Sequence, residues 1–395
     1  MKSSNRVFIP ADNRHNTIIL LPALIRLAVI IPAVFLSCVY PVYDGEMDIE
    51  EQQSVWQYLK VFSIYDRLPA SCGNLSPDDM FKMISDTLKG GRYTGYRDNL
   101  PGGGGGGGIP AADLDIDSIR PSTVLVSISQ FTDDAWRRFQ DSVSYMAKFD
   151  NIVINLWDNG GGLLSAVENM LGELLPFKTE FIQYRYRDYD SETRTSGTVE
   201  WEGRRTQNRW PWLLDKKISV LINGYSASAS EIMASALKDG ANAHLIGEKS
   251  YGKGIGQLVI SRTNRRVLSV THMQIRGISE RTGDYHRIGI APDPVPDEYF
   301  NRADSAAKAW ADSLYPKNPA YNEAFRAYSR GLYCAIMAVD TSYTPPLPES
   351  PELQKAVETE RPIEAALAER MLKRIQNKGK TPIGVYVVSE PDLLK

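Results

Sequence analysis

The stretch from Ile218 to Gln257 narrows the fold more than any other part of the chain. Ile218 to Ile222 is a short apolar, β-branched run that predicts a buried strand. Asn223, Gly224 and Tyr225 break it. Ser226, Ala227 and Ser228 then lead into a helix with Ile232, Met233, Ala236 and Leu237 on one face, which Gly240 stops. His244 to Ile246 predicts a second short strand. A glycine-spaced loop follows, with Lys253 between Gly252 and Gly254. A serine at a strand-to-helix turn lies where backbone N–H groups point outward, so an oxyanion can be held beside it. A lysine between glycines can approach other backbone and be buried. Together they form a nucleophile and its base. The local alternative is that Ser228 and Glu231 form a capping box and that Lys253 is a solvated loop lysine.

SASASEI followed by GEKSYGKGIGQ resembles the C-terminal processing peptidases and the related tail-specific and tricorn-like peptidases of the S41 type. The resemblance implies Ser228 as nucleophile, Lys253 as base and Gln257 as the group that orients the amine, with Glu231 supporting. The strand Asn151 to Trp157 runs into Asp158-Asn159-Gly160-Gly161-Gly162, which lacks both the phosphate-loop and the dinucleotide-binding patterns. In the resembled family this segment supplies an oxyanion-hole N–H, because absent side chains let backbone approach a scissile carbonyl. That implies Gly161, with Gly162 as the alternative, and Ala229 N–H as the second donor. Trp157 stands where family members often carry arginine. The segment Gly283 to Asp293 resembles the family's closing motif. His286 within it is the alternative base of a Ser/His/Asp arrangement.

Outside the core the chain divides readily. Basic residues Lys2, Arg6, Arg14 and Arg26 precede an apolar run from Leu27 to Leu36 that has the length of a signal-peptide h-region, giving a signal peptide over 1–37. Phe35-Leu36-Ser37-Cys38 resembles a bacterial lipobox, so the alternatives are a lipid anchor on Cys38 or an ordinary signal peptide. Either places the protein in the cell envelope, in the periplasm or at the outer membrane. A tether over 38–48 leads to a helical unit over 49–96. The linker over 97–115 contains seven consecutive glycines, Gly102 to Gly108, and leaves no room for the PDZ domain that many relatives carry. A peptidase domain over 116–300 and a helical extension over 301–395, with helices near Ala303–Leu314, Tyr321–Val339 and Glu352–Gln376, complete the chain.

Alternating strands and helices predict an α/β fold with a mixed sheet flanked by helices. The resemblance adds a Clp- and crotonase-like core. Phe181 to Trp212 interleaves aromatics with arginines, a pattern found in single-strand nucleic-acid binders, but its acidic neighbours favour an amphipathic β-hairpin. The formal net charge of −3 gives no reason to expect nucleic acid. The three cysteines and the histidines lack zinc-site spacing, so no metal or cofactor is expected. The expected partner is a protein or peptide substrate. A lysine acts as base only when neutral, so its pKa, about 10.4 in water, has to fall through burial. Two rival readings use the same fold: an acyl-CoA enzyme that does not need Ser228, and a ligand-binding module that needs neither Ser228 nor Lys253.

Overall fold

The structure, a computed structural model, describes residues 49–64, 73, 75–76, 79–80, 95–98, 113–190, 195–261, 266–348 and 384–388. Cys38, Cys72, the glycine run and the helix expected near Glu352–Gln376 lie outside the described residues.

The fold is α/β, with strands in two sheets rather than one. The first sheet takes β2 (Leu114–Arg120), β3 (Thr123–Ile128), β4 (Asn151–Asn155), β8 (Lys217–Ile222) and β9 (His244–Gly247) in the order β2-β3-β4-β8-β9. β3, β4, β8 and β9 are parallel, and β2 is an antiparallel edge. Successive side chains leave a strand on opposite faces. Val124, Val126, Ile152, Ile154, Val220 and Ile222 therefore enter one apolar core, and Leu125, Val153, Leu221 and Ile246 enter another. The first core is closed by α2 (Asp133–Met146), α3 (Leu164–Leu174) and α4 (Ala229–Gly240). The second is closed by α5 (Asp297–Leu314) and α6 (Pro319–Val339) through Trp310, Phe325, Leu332 and Ile336. The two helices read as an extension are thus the cover of the sheet's second face. Trp157 lies on that face, edge-on to Tyr328 at 5.7 Å.

The second sheet is mixed, with the order β5-β12-β10-β11-β6-β7 and β1 added on β11. Its strands are β1 (Gly95–Asp98), β5 (Gly161–Leu163), β6 (Glu180–Asp190), β7 (Thr195–Arg205), β10 (Ile255–Ser261), β11 (Arg266–Arg276) and β12 (Gly384–Val388). β6 and β7 form the expected antiparallel hairpin. Its Trp201 ring faces Arg276 at 4.2 Å and Arg185 at 5.5 Å, so these guanidinium groups are engaged within the sheet. α1 (Ile49–Phe62) joins the same sheet through a bond from Ile64 N–H to the Thr271 carbonyl at 3.0 Å. Helix α4 contributes Ile232, Met233, Ala236 and Leu237 to a core that also holds Phe181 and Ile275 of the second sheet. Both ends of the Ser228–Lys253 stretch are thereby anchored, one in each sheet.

Candidate active site

The turn that carries Ser228 is fixed before the serine is reached. Ser226 Oγ donates to the Leu156 carbonyl at 2.7 Å and accepts from Asn223 N–H at 2.9 Å. Asn223 Oδ1 accepts from the N–H groups of Asp158 and Tyr225, and its amide donates to Asp158 at 2.8 Å. The carbonyl of Asn159 accepts from Ala227 N–H and from Ser230 Oγ. The turn after β4 and the turn after β8 are therefore sewn together, as parallel neighbouring strands allow.

Ser228 itself has φ 61° and ψ −112°, a conformation that L side chains rarely adopt and that costs roughly 1–3 kcal/mol. It is buried, and its hydroxyl has no hydrogen-bond partner among the described residues. The Ser228–Glu231 pair has the outline of a capping box, but only the glutamate half forms a bond, from Ser228 N–H to Glu231 Oε2 at 2.9 Å. The hydroxyl is left for other work.

Glu231 ties this turn to the lysine loop. Its Oε2 also accepts from Lys253 N–H at 2.7 Å, and its Oε1 accepts from Ser250 Oγ and Gly252 N–H, each at 2.6 Å. The carboxylate is fully buried and takes two donors on each oxygen. Burial pushes its pKa up, while the four hydrogen bonds pull it down; burial wins. Lys253 is fully buried as well, and its Nζ donates to Gln257 Oε1 at 3.0 Å. Glu231 thus reaches the backbone of Lys253, and Gln257 reaches the amine. The segment beyond closes the loop: Arg287 N–H bonds to the Gly252 carbonyl, and Ser250 exchanges bonds with Ile290. His286 is half-buried, with its Cβ 3.1 Å from where a Cβ on Gly254 would stand. It lies next to the lysine loop.

Gly161 faces the serine turn directly. With φ 110°, a Cβ there would stand 2.9 Å from the Ala227 carbonyl oxygen, 2.9 Å from Ser228 Cβ and 3.1 Å from Ala229 N. Ala229 is the buried first residue of α4. The Gly161 N–H is donated to Asn159 Oδ1 at 2.8 Å, and the Asn159 amide donates to the Ile128 carbonyl. Gly162, φ 147°, is held so close to the Phe131 carbonyl that any side chain would collide with it. Asn159, Asn223 and Ser250 were not singled out from sequence; the first two stand in the turns that were. Among the described residues no group of three His, Cys, Asp or Glu side chains could hold a metal ion.

The sequence profile of peptidase family S41 matches residues 122–295, from the start of β3 to the end of the closing segment. Residues 122–295 are thus similar to peptidase family S41. The chain is 30% identical over 190 residues to a carboxyl-terminal-processing protease of Synechocystis, covering 48% of this chain and 41% of that protein. A carboxy-terminal-processing protease of Bartonella bacilliformis is 32% identical over 181 residues, 43% of this chain and 39% of that protein. The match thus spans less than half the length of either relative. Among solved structures, the photosystem II D1 C-terminal processing protease matches at 24% identity with a TM-score of 0.35, over 47% of this chain and 45% of that one.

Proposed function

We propose that the protein is a serine endopeptidase of the cell envelope, in which Ser228 attacks a peptide carbonyl and Lys253 takes its proton. The observation that carries this reading is one buried cluster. Ser228, whose hydroxyl has no partner among the described residues, stands on a strained turn that Glu231 latches to the loop of a fully buried lysine. Burial penalises an ammonium ion, and Nζ donates to the amide oxygen of Gln257, which carries no charge. Burial favours the neutral amine that a base must be. The carbonyl oxygen of the substrate, as it becomes an oxyanion, is received by Ala229 N–H at the start of α4 and by Gly161 N–H. The second donor is engaged by Asn159 Oδ1 and serves by exchanging that partner for the oxyanion, with Gly162 as the alternative. The lysine returns the proton to the departing amine as the C–N bond breaks, and the acyl group left on Ser228 is then hydrolysed by water that the neutral lysine activates.

The reading extends to the named activity of the relatives: the substrates are proteins or peptides, cut near their carboxyl ends. Export and a lipid anchor at Cys38 complete the proposal. The test is cleavage of casein by the full chain beside Ser228→Ala, Lys253→Ala and His286→Ala. Loss of activity in the first two with His286→Ala active is the expected result. Activity that survives Lys253→Ala and dies with His286→Ala would replace the lysine by the histidine. Activity unaffected by Ser228→Ala would overturn the peptidase reading.

A further inference from the structure

The two loops of the proposed site are continued by strands that do not touch each other. Gly161 opens β5, and β10 begins at Ile255, two residues after Lys253, and contains Gln257. On its outer edge β5 is bridged to Phe131, and β10 is paired antiparallel with β11. Their inner edges face a space one strand wide, which β12, the segment Gly384–Val388, fills. It is parallel to both neighbours. Gly384, Val385 and Tyr386 stand opposite Gly161, Gly162 and Leu163; Val385, Tyr386, Val387 and Val388 stand opposite Gly256, Gln257, Leu258 and Val259. Neighbouring strands lie about 4.8 Å apart, so Gly384 is one strand spacing from the glycine that abuts Ser228.

A peptidase must hold its substrate as an extended main chain across the oxyanion donors, and an open pair of strand edges is the usual device for capturing one. Here those edges are satisfied by a segment of the same chain. We infer that Gly384–Val388 is an intramolecular occupant of the peptide-binding groove, an autoinhibitory strand that a substrate must displace. The inference rests on the peptidase reading for the meaning of the groove, but the groove and its occupant are defined by backbone pairing alone. A tethered strand competes at an effective concentration in the millimolar range. If it fills the groove nine-tenths of the time, the apparent affinity for an external peptide falls about tenfold.

Two variants remove the hold of β12 without touching the site. Val385→Pro with Tyr386→Pro removes one donor toward each neighbour, because successive N–H groups of a strand point opposite ways. A chain ending at residue 380 removes the strand outright. The probe is a labelled peptide, TPIGVYVVSE, followed by fluorescence anisotropy on Ser228→Ala chains so that binding is read without turnover. Expected is binding about tenfold tighter to both β12 variants than to the intact chain, and casein cleavage raised by a similar factor in their Ser228 forms. Added peptide should then inhibit that cleavage. Equal binding to intact and altered chains would overturn the inference. So would a peptide that restores activity and melting temperature to a weakened β12 variant, since that is the behaviour of a structural strand. Tighter peptide binding with no casein cleavage in any form would leave the occupant in place and remove the peptidase reading instead.

Discussion

The four-donor carboxylate of Glu231 makes a quantitative prediction. Each oxygen receives two hydrogen bonds of 2.6–2.9 Å, from Ser228 N–H, Lys253 N–H, Gly252 N–H and Ser250 Oγ. Glu231→Gln is nearly isosteric, so no cavity confuses the result, but it replaces one acceptor by an N–H₂ donor. The best amide orientation turns that group toward Oε1's partners, where Ser250 can accept instead of donate and only Gly252 N–H is left facing a donor. One stranded buried donor costs roughly 1–3 kcal/mol, and the remaining bonds lose their charge assistance. Return of a buried charge to neutrality offsets part of this. The expected destabilisation is therefore about 2–4 kcal/mol, or roughly 4–16 °C in melting temperature for a domain of this size. Glu231→Ala strands all four donors, and the expected loss is about 4–12 kcal/mol, enough to prevent folding. Urea unfolding followed by circular dichroism measures both. A Glu231→Gln protein within about 0.5 kcal/mol of the parent would refute the reasoning, because an ordinary surface change has that size.

Three further outcomes follow from the same contacts. Gly161→Ala places a methyl group against Ser228 Cβ and Ala229 N, so the turn must shift, and casein cleavage should fall about a hundredfold; retention within a small factor would show the turn has slack. Burial pushes the Cys334 thiol up to about 11, so iodoacetamide at about pH 8 should leave it unmodified in the native protein and alkylate it in denaturant, as peptide mapping would read. The carboxyl of Asp304 on α5 is held below its usual range by a hydrogen bond from Arg326, opposed by burial and reinforced by Arg330. A depressed folded-state pKa gives stability that is complete above the unfolded value, about 3.9, and lost as pH falls through the folded value. Asp304→Asn should therefore lower the unfolding free energy measured in urea at neutral pH by about 1 kcal/mol or less, and the difference should close as pH falls below about 4.

What could be read from the sequence was local. In helix α2, Ala135, Phe139, Val143 and Met146 recur at helical spacing behind the Thr132 cap, and those four residues form its buried face. Strands β4 and β8 were visible as short apolar runs. The same runs carried a consequence that their periodicity alone did not state: a strand buried on both faces needs two covers. Leu125, Val153, Leu221 and Ile246 required a second layer, and α5 and α6 are that layer although their exposed sides read as polar extension. Strand β12 was not foreseen, since five residues of β character say nothing about a partner more than a hundred residues away. At the site, the order of residue types offered Ser228 and Lys253, and the resemblance added Glu231, Gln257 and Gly161. The bonds between them were not legible, because they depend on where two turns from two sheets meet.

That meeting point separates two jobs that a single glutamate could otherwise confuse. A carboxylate close to a lysine amine stabilises the ammonium form and opposes its use as a base. Glu231 is close in sequence logic and in space, yet its oxygens are occupied by backbone N–H groups and a serine hydroxyl, which hold it on the main chain of residue 253 while Gln257 meets the amine. Its charge still acts through a medium of low dielectric, and the direction of that action can be measured. The rate should rise with pH as the base becomes neutral, giving an ascending limb in kcat/KM. Glu231→Gln removes a buried negative charge, so the limb should move to lower pH even as the loosened turn lowers the plateau. A limb that stays in place would mean that the four donors already neutralise the carboxylate's field at the amine. A limb that moves to higher pH would mean that the glutamate is not the charge the base feels, and that the titrating group lies elsewhere, with His286 beside Gly254 the first to test.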